Sequence, residues 1–275
     1  MYYSSNKNMV IVKVLGGLGN QMFQYAYAKA LEIRGFNVEL DVSGFKNYKL
    51  HGGYQLDKYQ INLQGAKTST ILFCKINRLK TVKEKNLLFN SKLLSLKGNE
   101  YVKGYFQTEK YFSEIRSTLL TQFTLPSEIE NSTKNYKKEI TAAESSCSLH
   151  IRRGDYISNS KSNAIHGTCS LEYYKKAIQT IEEKHNNVTF FIFSDAISWV
   201  KENLVLKNAV YINHNCVPHE DIYLMSLCKN NITANSSFSW WGAWLNKNDY
   251  KTVIAPKLWF TSKENEIVCE NWIKI

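Results

Sequence analysis

Hydrophobic and polar positions along this 275-residue chain switch between two periods, and the switches predict its elements. Val10-Ile11-Val12-Lys13-Val14-Leu15 is a nearly continuous apolar run, the pattern of a buried strand. Gly16-Gly17-Leu18-Gly19 reads as a turn, and Asn20 as the N-cap of a helix. From Met22 to Arg34 apolar residues recur at helical spacing (Met22, Tyr25, Ala26, Ala30, Ile33), and Gly35 ends the helix. Asn37-Val38-Glu39-Leu40-Asp41-Val42 is the next strand, which makes a βαβ unit with a parallel sheet.

The second half is more regular. Ser148, His150 and Arg152 alternate with Leu149 and Ile151, the signature of a half-buried strand over 148–153. A polar loop (157–169) follows, and Ser170 caps a helix that runs to about His185. A strand over 188–193 ends in Ser194-Asp195, a short helix covers 196–203, and a strand covers 209–212. A helix runs from Pro218-His219-Glu220-Asp221 to Cys228, and a strand over 231–234 ends in Asn235-Ser236-Ser237. A helix carrying Trp240, Trp241 and Trp244, then the strand Thr252-Val253-Ile254-Ala255, complete the series. Five short strands alternating with helices predict a doubly wound, Rossmann-like domain. The segment 46–140 is lysine-rich and less periodic, and Pro126 with the polar run through Asn135 suggests a boundary. The reading is an N-terminal α/β domain over 1–140 and a C-terminal one over 141–275.

Composition narrows the classes. A hydrophobic share of 44% and this length support a substantial core. The six cysteines (Cys74, Cys147, Cys169, Cys216, Cys228, Cys269) form no CxxC pair and no regular spacing, so they read as reduced core thiols rather than zinc ligands. No apolar run approaches the ~20 residues of a membrane span, and the polar start lacks a signal-peptide core. The expected location is cytoplasmic. The net charge of +11 fits nucleic acid, an anionic membrane surface touched peripherally, or an anionic small substrate. No arginine-rich arm or RNA-binding motif appears, so nucleic acid is the weakest of these.

Five segments carry candidate chemistry. Gly16-Gly17-Leu18-Gly19-Asn20-Gln21 lies between a strand and a helix, where glycines admit close backbone approach and the helix start favours anions. It lacks the GK[ST] of a P-loop, and Met22 stands where a dinucleotide fingerprint needs glycine, which disfavours a nicotinamide dehydrogenase. His150-Ile151-Arg152-Arg153-Gly154-Asp155 sets two arginine forks at the carboxyl edge of a strand, suited to phosphate oxygens; a surface ion pair is the alternative. Ser194-Asp195 is placed to meet a ribose or to cap the next helix. Asp221 follows a helix start, where a carboxylate suits either the helix dipole or the paired N–H donors of guanine. Asn235-Ser236-Ser237-Phe238 has more hydroxyls than a cap needs, which hints at a phosphate cradle, whereas the tryptophans after it read as core. A strand-end DxD, a metal-spaced His/Cys cluster and a GxSxG elbow are all missing from the sequence.

Together with Gly104-Tyr105-Phe106-Gln107, the segments Gly16–Ala26, His150–Asp155 and Asn235–Gly242 resemble the bacterial α-1,2-fucosyltransferases of glycosyltransferase family 11. The resemblance covers about residues 9–42, 101–112 and 147–260. It implies an α/β, GT-B-like architecture of two Rossmann-like domains facing a cleft, the N-terminal one on the acceptor side and the C-terminal one doubly wound and donor-binding. It implies GDP-β-L-fucose as donor, a galactose-terminated oligosaccharide as acceptor, inversion to an α-1,2 linkage, and neither cofactor nor metal. By that similarity Arg152 contacts the pyrophosphate with Arg153 nearby, and His150 and Asp221 hold the nucleoside. Asn235, Ser236, Ser237 and Phe238 cradle phosphate, while Gly17, Gly19, Asn20 and Gln21 face the donor. Ser194 and Asp195 join the donor-binding set. Related enzymes place a glutamate soon after the arginine pair, but Ser158, Asn159 and Ser160 stand there, which leaves Asp155 as the nearest base. Its rival role is to orient an arginine. The polar loop Ile157–Thr168 reads as a lid that orders on the donor. Two alternatives remain open from sequence: a transferase of the same fold using another nucleotide sugar, and a non-catalytic nucleotide- or glycan-binding module.

Overall fold

The first apolar run folds as strand β1 (Met9–Lys13), followed by helix α1 (Leu18–Ile33) and strand β2 (Asn37–Asp41). The computed structural model that gives this architecture describes residues 8–47, 52–76, 80–125, 131–154, 167–213 and 217–275. The chain forms two compact units: Met1–Thr124 with Glu264–Ile267, and Leu125–Lys263 with Val268–Ile275.

In the first unit, helix α2 (Thr68–Ile76), strands β3 (Lys80–Lys83) and β4 (Glu100–Lys103) and helix α3 (Arg116–Gln122) follow β2. The sheet order is β2-β1-β4-β3, with every pair parallel. Helix α1 is buried almost all round, so its apolar pattern is not confined to one stripe. It begins earlier than the expected cap at Asn20. Gly16 takes a left-handed φ of +82°, Gly17 is the extended N-cap, and the Asn20 N–H already donates to Gly17 O at 2.9 Å. Asn20 therefore lies in the first helical turn, and its side chain serves another purpose.

The second unit opens with helix α4 (Asn131–Ala142) and strand β5 (Ser145–Ile151). It continues through α5 (Leu171–Lys184), β6 (Val188–Ser194), α6 (Ile197–Asn203), β7 (Ala209–Tyr211) and α7 (Pro218–Leu227). It closes with β8 (Asn230–Ile232), α8 (Ser237–Leu245), β9 (Val253–Ala255) and β10 (Ile273–Lys274). The parallel sheet has the order β10-β9-β8-β5-β6-β7, six strands where five were expected. The extra strand is two residues long, too short for a periodic signal, and is fixed by Ile275 N donating to Ala255 O at 3.1 Å.

Two further expectations change. Strand β5 is buried along its whole length, not half-buried. A central parallel strand is covered on both faces, and two of its serines find partners there: Ser148 Oγ accepts from Asn231 Nδ2 at 2.7 Å, and Ser146 Oγ from Lys229 N at 3.1 Å. The units also divide at 124/125 rather than 140/141, and the chain returns to the first unit at Glu264–Ile267. Helix α4 belongs to the second unit because Ile140 packs with Phe191, Phe193 and Leu224, and buried Thr133 donates to the Glu220 carboxylate. The returning segment is held in the first unit by Glu266, which accepts from Phe89 N at 2.6 Å and pairs with Lys110 at 2.9 Å. Cys147, Cys169, Cys228 and Cys269 are buried free thiols, as expected of core cysteines.

Candidate active site

The order of the second sheet decides where the motifs meet. The chain runs from β5 to its neighbour β6 on one side and, after returning, from β8 to its neighbour β9 on the other. Between β5 and β8 lies the switch point, and ligands bind outside the carboxyl ends of the strands at such a point. Register pairs Leu149 with Ile232 and Ile151 with Ser194. The arginine pair, Ser194-Asp195 and Asn235-Ser236 thus leave the sheet at one edge.

There Asp195 holds both arginines. Its Oδ1 accepts from the Arg153 main-chain N–H at 2.8 Å, and its Oδ2 lies 3.2 Å from Arg152 Nε. The Arg152 and Asp195 side chains are 29% and 28% exposed, so their pairing is shielded from much of the solvent screening an open surface pair meets. Gly154 leaves room beside them: a Cβ there would lie 3.1 Å from Asp195 Oδ2, a tight contact. The Arg153 guanidinium rests 3.9 Å from the ring centre of Trp199, on α6. Ser194 Oγ accepts from Ala196 N at 2.9 Å, a local turn rather than a free hydroxyl.

His150 sits just inside the edge, 4% exposed, with its ring 5.6 Å from that of Phe238. Its Nδ1 is buried without a hydrogen-bond partner among the described residues. Burial, and then the Arg152 charge, push its pKa down from 6.5 to about 3, so the ring is neutral at ordinary pH. The sign follows from linkage. The unfolded chain binds a proton near pH 6.5 that the folded one refuses until about pH 3, so the contribution to stability is complete above 6.5 and falls away below it. The urea midpoint of the wild type is expected to drop more between pH 7.5 and 5.5 than that of His150→Gln. Equal drops would contradict this.

At the start of α8, Ser236 is the N-cap and its Oγ accepts from Phe238 N at 3.3 Å; Ser237 and Phe238 are half-buried beside it. Asn235 is buried and committed: its amide donates to Gly167 O and Trp259 O, and its oxygen accepts from Cys169 Sγ. Trp240, Trp241 and Trp244 are core, as expected. Asp221 is half-buried in the first turn of α7, next to Glu220, which is buried against Thr133. Asp155 lies outside the described residues, as does the expected lid except Gly167 and Thr168.

In the first unit, the polar pair after the glycine turn is tied to neighbouring loops. Gln21 is fully buried; its amide donates to Gly16 O and Gly53 O at 2.9 and 2.8 Å, and its oxygen accepts from Gln55 N at 3.0 Å. Asn20 Oδ1 accepts from Gln107 Nε2 at 2.8 Å. Gln24 bridges Leu15 N and Gly104 O. Gly17 and Gly19 flank the helix start, Gly19 buried.

Sequence reasoning missed the clamp. Asp195 and Arg153 stand 42 residues apart, and only sheet register joins them. No signal in the sequence marks Trp199. Among the described residues, no group of three or more His, Cys, Asp and Glu is placed to hold a metal ion, and no helix is long and apolar enough to cross a membrane.

The profile of Glycosyl transferase family 11 matches residues 2–275. An α-1,2-colitosyltransferase of Escherichia coli is 39% identical over 98% of this chain and 99% of its own length. The O-antigen biosynthesis glycosyltransferase WbnK, also of Escherichia coli, is 32% identical over 94% and 98%. Among solved structures, the fucosyltransferase NodZ from Bradyrhizobium shares the fold at a TM-score of 0.57 and 13% identity, covering 86% of this chain and 92% of that one. The architecture is the GT-B-like one, with two parallel α/β sheets.

Proposed function

The chain belongs to glycosyl transferase family 11, and on that premise we propose that it moves L-fucose from GDP-β-L-fucose to the 2-hydroxyl of a terminal β-galactose, with inversion and without a metal ion. The observation that carries the reading is the Arg152–Asp195 clamp at the switch-point edge. When the galactose hydroxyl attacks the anomeric carbon, the bond to the β-phosphate oxygen breaks and negative charge grows on the departing GDP. A guanidinium already held in place stabilises that charge without reorganising. The α8 start, with Ser236 and Ser237 leading and Phe238 beside them, suits the phosphates through its helix N-terminus. Neutral His150 and the Asp221 carboxylate suit the nucleoside, Asp221 accepting from guanine N1–H and the 2-amino group. Asp155 is the proposed base that takes the hydroxyl proton. Lysine-rich surface on a chain of net charge +11 suits peripheral contact with an anionic cytoplasmic membrane face.

A second reading, with colitose in place of fucose, is favoured by the 39% identity to a colitosyltransferase. Colitose lacks the 3-hydroxyl of fucose, so the two donors present the same diphosphate to the clamp. Incubation with GDP-fucose or GDP-colitose and a panel of β-galactosides, with linkages read by NMR, separates them. An α-1,2-linked fucose product that survives EDTA is expected. Preferential use of GDP-colitose installs the second reading, and failure with both donors sinks the proposal.

A further inference from the structure

The loop after β4 is built more rigidly than a connection requires. Gly104 follows the strand, and a Cβ there would lie 2.7 Å from both Glu84 Cβ and Phe106 Cζ. Phe106 adopts φ +52°, a left-handed backbone that a bulky residue rarely tolerates. Such strain persists only where the surroundings over-determine it, and here they do. The Phe106 side chain is fully buried and stacks on Tyr27, centroids 3.8 Å apart and planes within 8°. One oxygen of Glu84 accepts from both Tyr105 N at 2.7 Å and Phe106 N at 3.0 Å. Gln24 holds Gly104 O, and Gln107 reaches Asn20 in the glycine turn after β1.

The result of these restraints is that Tyr105, between two pinned neighbours, remains 40% exposed. It stands three residues past Val102, the register partner of Val12, at the carboxyl edge of the first sheet and beside the Gly16–Gln21 turn. We propose that Tyr105 is an acceptor-stacking residue: its ring, presented by this strained and tied loop, receives the C–H face of the terminal galactose. The inference rests on the functional reading above for the identity of that sugar. Tyrosine suits the task, since it offers a flat apolar face with few rotatable bonds, and a main chain fixed beforehand loses little freedom on binding. A tyrosine exposed by chance needs neither the glutamate clamp nor the strained phenylalanine.

The test is steady-state kinetics on Tyr105→Ala and Tyr105→Phe, varying donor and β-galactoside separately. Tyr105→Ala is expected to raise the acceptor KM about tenfold, the loss of one well-placed aromatic contact, with donor KM within twofold. Tyr105→Phe keeps the flat face and is expected to stay closer to wild type. Tyr105→Leu, similar in reach but not flat, should follow alanine and serves if the alanine variant folds poorly. An acceptor KM unchanged in the alanine and leucine variants, or a donor KM rising in step, overturns the assignment. Saturation-transfer NMR with methyl β-galactoside decides the point apart from turnover. Transfer to the galactose C–H protons should be strong in wild type and weak in Tyr105→Ala; equal transfer overturns the stacking role. A wild type that binds galactoside through Tyr105 yet transfers no sugar would refute the functional reading alone.

Discussion

Arg152→Ala is expected to lower kcat/KM by about 10²–10³-fold, the size of effect seen when one preorganised donor to a developing anion is removed. A charge-assisted hydrogen bond contributes about 1.5–3 kcal/mol, and more of it is felt as charge accumulates on the leaving diphosphate than in the bound donor. The fall should therefore appear chiefly in kcat, with a smaller rise in donor KM. Arg152→Lys restores charge without the planar fork and is expected to recover only part of the loss. Arg152 is partly exposed at the sheet edge, so its truncation should leave the thermal midpoint nearly unchanged, which separates a chemical defect from a folding one. Activity within twofold of wild type in Arg152→Ala would remove this arginine from the mechanism.

Asp195→Ala is expected to be nearly as damaging, on the order of 10²-fold in kcat/KM, although the aspartate acts through the arginines. Its carboxylate takes the Arg152 Nε and the Arg153 main-chain N–H at once. Without it the Arg152 fork loses this anchor, and displacement of about 1 Å at a reacting centre costs on this scale. Asp195→Asn separates charge from shape. The amide oxygen can still accept from Arg153 N, so the turn after β5 is kept, while the charge that orients Arg152 is lost. An intermediate loss is expected, with donor KM raised and affinity for GDP reduced in calorimetry. A merely structural aspartate would lose activity only in proportion to stability, so a fall in kcat/KM that tracked the thermal midpoint across both variants would count against the positioning role. Asp155 as base is a separate matter: its loss should reshape the acidic limb of the pH–rate profile rather than donor affinity.

Much of this site is legible from residue order. Alternation alone places His150–Arg153 at a strand end, local pattern makes Ser170 a cap and the tryptophans of α8 core, and each stands where expected. What residue order leaves out has a common cause. Alternation in β5 indicates a wet face, yet Ser146, Ser148 and His150 are buried, and the partners that make burial of the two serines tolerable are Lys229 N and Asn231, 83 residues further along the chain. Asn20, Gln21 and Asn235 read from sequence as polar residues that face the donor, and the structure adds what else they hold. Their side chains close loops on Gln107, Gly53, Gln55, Gly167 and Trp259, contacts that no local pattern announces.

Residue order by itself determined the local alphabet of this protein: which segments become strands and helices, where glycines permit a turn, and which side chains have the charge and hydroxyls to meet a diphosphate. Those properties depend on propensity and on neighbours within a few positions. Tertiary structure alone decided that Asp195 pairs with Arg152 and holds the Arg153 main chain, that Trp199 lies against Arg153, that α4 joins the second unit, and that Tyr105 is 40% exposed on a strained loop. Each depends on which strands lie side by side and in what register, and hydrogen bonds and ion pairs act only over a few ångströms, however far apart their partners lie along the chain.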